Sequence, residues 1–240
     1  MMKSIITVTA LLLSAATALP FTTLNPHYPR AIAPRAACLT VAPNKPTIDT
    51  DTGDAGIQLT NGDNSTQSFF VYDNGCDSIP SKYVSVGAGA TQFVGLPKLF
   101  QGRIVRGTEA VNLNGSPHLL GTWLEVGLDA SGMGWADVSL IRGCDGAVSI
   151  AATDGTNAST GFDDSSVLAD APASVLQAKD SGNKAIMATE DATVTVLSTV
   201  ANYLSGKLGY TVAYIDDYHG NPVIASSNSR FAVTFYHGAP

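Results

Sequence analysis

Residues 119–144 read LLGTWLEVGLDASGMGWADVSLIRGC, and this stretch decides the fold that the sequence predicts. Residues 121–128 and 135–141 each alternate aliphatic side chains with polar or aromatic ones, which is the period of a half-buried β-strand. The intervening DASGMG supplies small residues that suit a hairpin or a short loop. The stretch therefore predicts two neighbouring strands, each with one face toward an apolar core.

The polar faces of these two strands carry the candidate site. Glu125 shares a face with Trp123, and Asp137 shares one with Trp135, because side chains two residues apart lie on the same side of a strand. Glycoside hydrolysis uses two carboxyl groups, so this pair could act as acid and as nucleophile or base. The same residues could instead bind a sugar without turnover, with the indole rings as stacking faces, or could be solvated on an exposed sheet face.

Short strand-like segments continue on both sides of this stretch. Apolar, β-branched or aromatic runs separated by Gly and Asn turns occur at 56–60, 68–72, 83–86, 91–94, 102–105, 148–151, 211–215 and 231–236. Residues 192–205 carry apolar residues at helical spacing, with Gly206 placed to end the helix. The pattern predicts a mainly β fold, an antiparallel β-sandwich with a small side lobe of loops and one helix.

The N-terminus has the pattern of a secretory signal peptide. Residues 1–18 combine a basic start, a short apolar core and an Ala-Thr-Ala cleavage site, and they are too short to span a membrane. Residues 19–50 are interpreted as a pro-segment or flexible leader, with Arg30 and Arg35 as candidate cleavage points. The sequence therefore predicts one domain over 51–240 in a secreted protein, extracellular or in the cell wall, without a membrane span.

Charge and motif content exclude several function classes. The net charge is −7, and nucleic acids or anionic membranes require a basic face, so neither is an expected partner. The chain contains no phosphate-binding glycine loop, no G-x-S-x-G elbow and no C-x-x-C pair. We expect no cofactor and no metal, and we expect the protein to be a monomer.

Cysteines and glycosylation motifs fit a secretory route. Cys76 and Cys144 each follow a predicted strand and would lie at sheet ends, so we expect a disulfide between them. Cys38 would then be unpaired, or would be removed with the leader. Three Asn-X-Ser/Thr triplets are predicted glycosylation sites on loops, at Asn64, Asn114 and Asn157.

A second polar cluster lies near the C-terminus. Asp216, Asp217 and His219 place two carboxyl groups and an imidazole within four residues. These residue types could form a metal-binding or catalytic loop. A turn before Gly220-Asn-Pro is the alternative, since Asp and Asn commonly stabilise turns.

Five motifs in order resemble the thaumatin-like family. That family has a GRIWART-type strand, a TLAEFSL-type strand, a DISLVDGFN-type strand, a SYxxDD-type turn and a final NYRVTF-type strand. The order and approximate spacing hold over nearly all of residues 56–236, and the chain is most similar to the cysteine-poor, fungal-type secreted members. The matching segments are GRIVRGT (102–108), LGTWLEVGL (120–128), WADVSLIRG (135–143), AYIDD (213–217) and SNSRFAVTF (227–235).

The resemblance implies a thaumatin-like sandwich with an acidic cleft. Glu125, Asp137 and Arg106 match the family's cleft glutamate, aspartate and arginine, whereas Gly134 stands where a further acid is common. Arg106 would then hold one carboxylate ionised and leave the other with a raised pKa. The family's many disulfides are reduced here to three cysteines.

Three function classes follow from the sequence. The first is a secreted protein that binds cell-wall glucan or acts on a host surface protein, as an effector or defence-type protein. The second is a weak endo-β-1,3-glucanase that uses Glu125 and Asp137. The third is a structural cell-wall protein without a soluble ligand.

Overall fold

The computed structural model describes residues 37–240. Helices and strands follow one another from β1 to β13, with three α-helices and one 3₁₀-helix between them. Their bounds are β1 (Gly56–Gly62), β2 (Gln67–Asp73), β3 (Lys82–Val86), β4 (Thr91–Gly95), β5 (Gln101–Gly107), α1 (Glu109–Asn112), β6 (Trp123–Leu128), β7 (Gly134–Ser139), β8 (Gly146–Ala152), β9 (Ser159–Gly161), α2 (Ser166–Ala169), the 3₁₀-helix (Ala173–Val175), β10 (Leu176–Ala178), β11 (Lys184–Ile186), α3 (Ser198–Leu208), β12 (Ile224–Ser226) and β13 (Arg230–Gly238).

Two large sheets form a sandwich, which confirms the predicted mainly β fold class. One sheet has six strands in the order β12-β7-β6-β5-β2-β3, and the other has five in the order β4-β1-β13-β8-β9. The pairing is not antiparallel throughout, because β1 and β13 run parallel. Hairpin turns impose antiparallel pairing only on strands that follow each other closely, and these two lie at opposite ends of the domain. The small β10–β11 sheet, α2, the 3₁₀-helix and α3 come from the chain between β9 and β12 and form the side lobe, whereas α1 follows β5 and contacts Tyr72 of β2 through Asn112.

The core lies between the two sheets and confirms the alternation read in residues 119–144. Leu124, Val126 and Leu128 of β6 are buried in it together with Ala136 and Val138 of β7. Rings from the two sheets also meet there, since the centroids of Phe69 and Phe235 are 4.8 Å apart. The opposite side chains of β6 and β7 therefore project from the outer face of the six-stranded sheet.

That outer face carries a second, smaller apolar cluster. Phe70, Tyr72, Tyr83 and Val105 are buried in it, and Trp123 packs against it. Val105 belongs to this cluster, so Val105 and the residues of β5 two positions away from it point away from the core. This register matters for the site because it decides which arginine of β5 lies beside Glu125.

Helix α3 begins and ends later than predicted. Residues at its predicted start form a turn instead, in which Asp191 Oδ1 accepts hydrogen bonds from the backbone N–H groups of Thr193 and Thr195. The apolar residues at helical spacing are Leu197, Val200, Ala201 and Leu204; the last three are buried, whereas Leu197 precedes the helix and is 39% exposed. Gly209 follows the last helical residue with a φ of 70°, a backbone conformation that glycine adopts without strain.

The predicted Cys76–Cys144 disulfide is wrong. Cys76 pairs with Cys38, at a Cα–Cα distance of 5.3 Å, and Cys144 is a free, buried thiol. Three successive antiparallel pairings connect β2 to β7, so these two strands run in opposite directions and their C-terminal ends lie at opposite ends of the sheet. Cysteines that follow them therefore cannot meet.

The signal peptide (1–18) and most of the predicted leader lie outside the described residues. Residues 37–50 contain no helix or strand, but they contact the sandwich. The Thr47 N–H donates to Tyr83 O at 2.8 Å, and Asp49 accepts from the Gly95 N–H at 2.8 Å. The boundary at residue 51 stays a prediction. Within the described part of the chain, no helix has the length and apolar character needed to cross a membrane.

Candidate functional site

Glu125 and Asp137 lie directly opposite each other on β6 and β7. Cβ atoms of directly opposite residues in an antiparallel pair are about 4.5–5.5 Å apart, so the two side chains are neighbours on the outer face. They differ in exposure, because Glu125 is half-buried and Asp137 is fully buried. A ligand on this face can therefore reach Glu125 but not Asp137.

A loop from the C-terminal part of the chain runs along the edge of β7. Tyr214 pairs with Ser139 in a parallel bridge, its N–H donates to Val138 O at 2.8 Å, and its carbonyl accepts from the Leu140 N–H at 2.7 Å. These bonds hold the adjacent acidic pair, Asp216 and Asp217, at the same edge of the sheet as Asp137. The loop extends the site beyond the two strands.

Glu190 is a site residue that the sequence reasoning missed. Its side chain is buried, and Oε1 accepts a hydrogen bond from the Asp217 N–H at 2.9 Å. The preceding Thr189 donates its N–H to Ile141 O at 3.1 Å, which attaches this segment to the chain just after β7. No local pattern around Glu190 indicates this role, because the contact joins segments far apart in sequence. We use "acidic cleft" for Glu125, Asp137, Glu190, Asp217 and the arginine beside them, Arg103.

Three carboxyl groups of the acidic cleft have raised pKa values. Burial raises the pKa of Glu125, and the charge of Asp217 raises it further, against the opposing effects of Arg103, a hydrogen bond from Ser139, and Arg142. Burial also raises the pKa of Glu190, with the charge of Asp217 acting in the same direction. Partial desolvation raises the pKa of Asp217. Glu125 and Asp217 are the two of these groups that a ligand can reach, and their oxygen atoms accept hydrogen bonds from hydroxyl groups.

Arg103 lies beside Glu125 on the outer face. The two residues are paired in register between β5 and β6. The Arg103 guanidinium lies 4.6 Å from the ring centroid of Tyr72 and 4.1 Å from that of Trp123, and its Nη1 is 2.8 Å from Asp77 Oδ1. Two aromatic faces and a carboxylate hold the cation in one place. Its fixed charge lowers the cost of ionising Glu125.

Arg106 is not at the predicted position beside the two carboxyl groups. It shares a strand face with Ile104, which is buried in the core, so its side chain leaves the sheet on the side opposite to Glu125. The guanidinium donates instead to the backbone carbonyls of Asp145, at 3.1 Å, and Tyr236. The alternation that was used to place Glu125 would have predicted Arg103 beside it. Ile104 is an apolar residue on the core face of β5, so its neighbour Arg103 lies on the outer face.

The second predicted cluster separates into two parts. Asp216 is buried and closes a turn, since it accepts hydrogen bonds from the N–H groups of Tyr218 and His219 and from His219 Nδ1, each at 2.9 Å. Asp217 is exposed and contributes to the acidic cleft. Within residues 37–240, no group of three or more His, Cys, Asp or Glu side chains is arranged to hold a metal ion.

The predicted glycosylation sites all lie in exposed turns or loops. Asn64 follows β1 and Asn157 precedes β9. Asn114 differs from both because its Oδ1 accepts the Ser116 N–H at 2.8 Å and contacts His118 Nε2 at 3.0 Å. A glycan at Asn114 would have to replace those contacts. Glycosylation at the three positions stays a prediction.

Comparisons with known proteins give a likeness to solved structures. Neither the protein-family models nor the curated proteins that were searched match this chain. Among solved structures, a thaumatin-like xylanase inhibitor matches with a TM-score of 0.40 and 12% sequence identity, over 75% of this chain and 99% of that chain. A likeness at this TM-score carries no argument about what the chain binds.

Proposed function

We propose that the chain is a secreted thaumatin-like protein that binds a neutral cell-wall polysaccharide, β-1,3-glucan, in the acidic cleft. The observation that supports this best is that Asp217, from a separate segment, lies near enough to Glu125 for its charge to raise the pKa of Glu125, while the buried Glu190 accepts a hydrogen bond from the Asp217 N–H. The side-chain oxygen atoms of Glu125 and Asp217 can accept hydrogen bonds from sugar hydroxyls. Trp123 lies two residues before Glu125 on the same strand face, and its ring is covered by Arg103 at 4.1 Å from the centroid.

Binding without rapid turnover is the better-supported form of this proposal. A retaining or inverting glycosidase needs a second carboxyl group that reaches the sugar or its water while ionised. Asp137 lies directly opposite Glu125 but is fully buried, so it does not provide such a group. Slow β-1,3-glucan hydrolysis is the second candidate, because the raised pKa of Glu125 suits a general acid.

Secretion is part of the proposal and has one independent support. The Cys38–Cys76 disulfide is typical of a protein that folds in an oxidising compartment. A role at a host surface, as an effector or defence-type protein, and a structural role in the wall would both leave glucan unbound. These two roles are therefore the outcomes of the test if the polysaccharide does not bind.

The test is a pull-down of the purified protein with insoluble β-1,3-glucan. We expect the parent to be retained without release of sugar, and Glu125→Gln to lose retention by about tenfold, which corresponds to about 1.4 kcal/mol. The matched control is Asp170→Asn, which neutralises an exposed carboxylate paired with Lys207 in the side lobe. Release of oligosaccharide by the parent would favour the glucanase. Equal retention of parent and Glu125→Gln would refute the acidic cleft as the binding site.

A further inference from the structure

Three asparagines of the chain are each followed directly by glycine: Asn61, Asn74 and Asn114. An asparagine in this position can react with its own backbone, because a glycine has no Cβ to hinder the approach of the side chain to the next peptide nitrogen. The reaction requires a side-chain amide and a following peptide N–H that are both accessible. The sequence ranks the three positions equally, so only their folded environments distinguish them.

Asn74 and Gly75 form the exposed tip of the turn after β2. The Cys76 N–H closes this turn by donating to Asp73 O at 2.9 Å, and Gly75 has a φ of 78°. The Asn74 backbone N–H donates to Gln101 O at 2.7 Å. Within residues 37–240, however, neither the side-chain amide of Asn74 nor the Gly75 N–H forms a hydrogen bond. Both reacting groups are therefore exposed and unengaged.

Asn61 is the opposite case, because its side chain is fully buried in β1. Its Oδ1 accepts a hydrogen bond from the Asp63 N–H at 3.0 Å. Its Nδ2 donates to three backbone carbonyls, those of Ser65 at 2.8 Å, Val86 at 2.9 Å and Gly87 at 3.2 Å. Turning this amide toward the next peptide nitrogen would leave buried polar groups without partners, which is costly.

Asn114 is intermediate between these two cases. Asn114 and Gly115 are exposed, as Asn74 and Gly75 are. The Oδ1 atom of Asn114 is nevertheless engaged, since it accepts the Ser116 N–H at 2.8 Å and contacts His118 Nε2 at 3.0 Å. The side chain must leave both partners before it can react.

We propose that Asn74 is a deamidation site of the folded protein, and that hydrogen bonds protect Asn61 and Asn114 from the same reaction. The Gly75 nitrogen gives its proton to a base in the solvent and bonds to Asn74 Cγ. The bond between Cγ and Nδ2 breaks, and Nδ2 takes up a proton and leaves as ammonia, so that a cyclic imide forms. Water then hydrolyses one of the two carbonyl–nitrogen bonds of the imide, which gives aspartate or isoaspartate at position 74. The steps consume one water and release one ammonia, without a redox change.

The modification adds a negative charge to the turn that precedes Asp77. Asp77 Oδ1 is 2.8 Å from Arg103 Nη1, and Arg103 is paired in register with Glu125 of the acidic cleft. Isoaspartate also adds a methylene group to the backbone of this turn. The deamidated residue therefore lies close in sequence to the ion pair that holds Arg103. This inference does not depend on what the cleft binds.

The test is peptide mapping by mass spectrometry after incubation of the full-length protein in mildly alkaline buffer. The protein is produced in cells that do not attach N-glycans, so that Asn114 keeps a free amide. We expect Asn74 to convert about tenfold faster than Asn114, because the side chain of Asn114 must first lose two hydrogen-bond partners. Asn61 should show no conversion while the chain is folded.

Two controls separate the effect of the fold from that of the sequence. In the same protein, reduced and unfolded in guanidinium, the three positions should convert at comparable rates, because each is an Asn-Gly pair. Asn74→Gln should abolish conversion at this position in the folded protein, because its longer side chain would have to close a larger ring.

Three results would overturn the proposal. The first is conversion of Asn61 or Asn114 in the folded protein at the rate of Asn74. The second is no conversion of Asn74 in the folded protein under buffer and temperature conditions in which the unfolded chain reacts. The third is the same order of rates in the folded and the unfolded chain, which would assign the preference to the sequence and not to the structure.

Discussion

The single residues of the acidic cleft show how burial and charge act against each other. Glu125 lies in register with Arg103 on one side and with Asp137 on the other. Burial raises its pKa in spite of the arginine, so desolvation is the larger effect there. Arg103 is itself held between Tyr72 and Trp123 and tied to Asp77, which prevents it from moving closer to the carboxylate. The residue best placed to bind a ligand is therefore one that costs stability when ionised.

Glu125→Gln should change stability in a pH-dependent way. A raised pKa means that the folded chain holds this proton more tightly than the unfolded chain, so Glu125 favours folding at low pH, and the benefit is lost as the pH rises through the folded pKa. The melting temperature of the variant minus that of the parent should therefore be more positive near pH 7 than near pH 4. We expect this difference to change by about 2–4 °C between the two pH values, which corresponds to about 1 kcal/mol in a domain of this size. Thermal unfolding followed by circular dichroism at both pH values measures this difference.

Asp154→Asn is the matched control with the opposite sign. Hydrogen bonds from Thr156 and from the Ser227 backbone lower the pKa of Asp154, so this carboxylate favours folding at neutral pH, and the benefit is lost in acid. Its substitution should lower the melting temperature near pH 7 more than near pH 3. A difference for Glu125→Gln that does not change with pH would contradict the raised pKa.

Among the strands, β13 connects the sandwich most extensively. It pairs with β1 on one side and β8 on the other, and its Phe235 meets Phe69 of the opposite sheet. Burial of Phe235 is complete. Removal of such a ring leaves a cavity between the sheets, because the two backbones cannot close over it.

Phe235→Ala should lower the free energy of unfolding by about 3–5 kcal/mol. The neighbouring Thr234→Ala is the control, since its half-buried side chain points out of the same strand on the other face, and a change of about 0.5 kcal/mol or less is expected there. Urea unfolding monitored by tryptophan fluorescence measures both. Equal effects of the two substitutions would mean that β13 does not pack with the alternation described.

At the scale of the whole molecule, two of the three cysteines form a disulfide, and the third is a buried free thiol. The Cys38–Cys76 bond attaches the segment before β1 to the turn after β2. Cys144 lies fully buried between the sheets, and burial raises the pKa of its thiol to about 11. A thiol in this state is unreactive in the folded protein, because only the thiolate attacks and no reagent reaches it.

Thiol titration should therefore report the state of the whole fold. The native protein should give no reaction with an aromatic disulfide reagent, and the protein unfolded in guanidinium without reductant should give one thiol per chain. Reduction before unfolding should raise the count to three, the number of cysteines in the sequence. Rapid reaction of one thiol in the native state would show that Cys144 is accessible and that the core is packed less closely than described.

The sequence by itself determined the fold class and the faces of the central strands. Period-two alternation requires neighbouring side chains to point in opposite directions, so Leu124 and Val126 had to be buried if Glu125 was not. The same rule applied to β5 would have identified Arg103 instead of Arg106, because Ile104 lies between the sheets. The alternation of side-chain directions follows from the geometry of an extended backbone, so it does not depend on which segments the strand packs against.

Only the tertiary structure decided which distant segments meet. The partner of Cys76 depends on strand directions across the sheet, since β2 and β7 are antiparallel and Cys144 follows the wrong end. The burial of Asp137 and the arrival of Glu190 depend on segments that follow β7 by about fifty to eighty residues and pack along its edge. Such contacts depend on how whole sheets and loops pack against one another. A short sequence pattern contains no information about this packing.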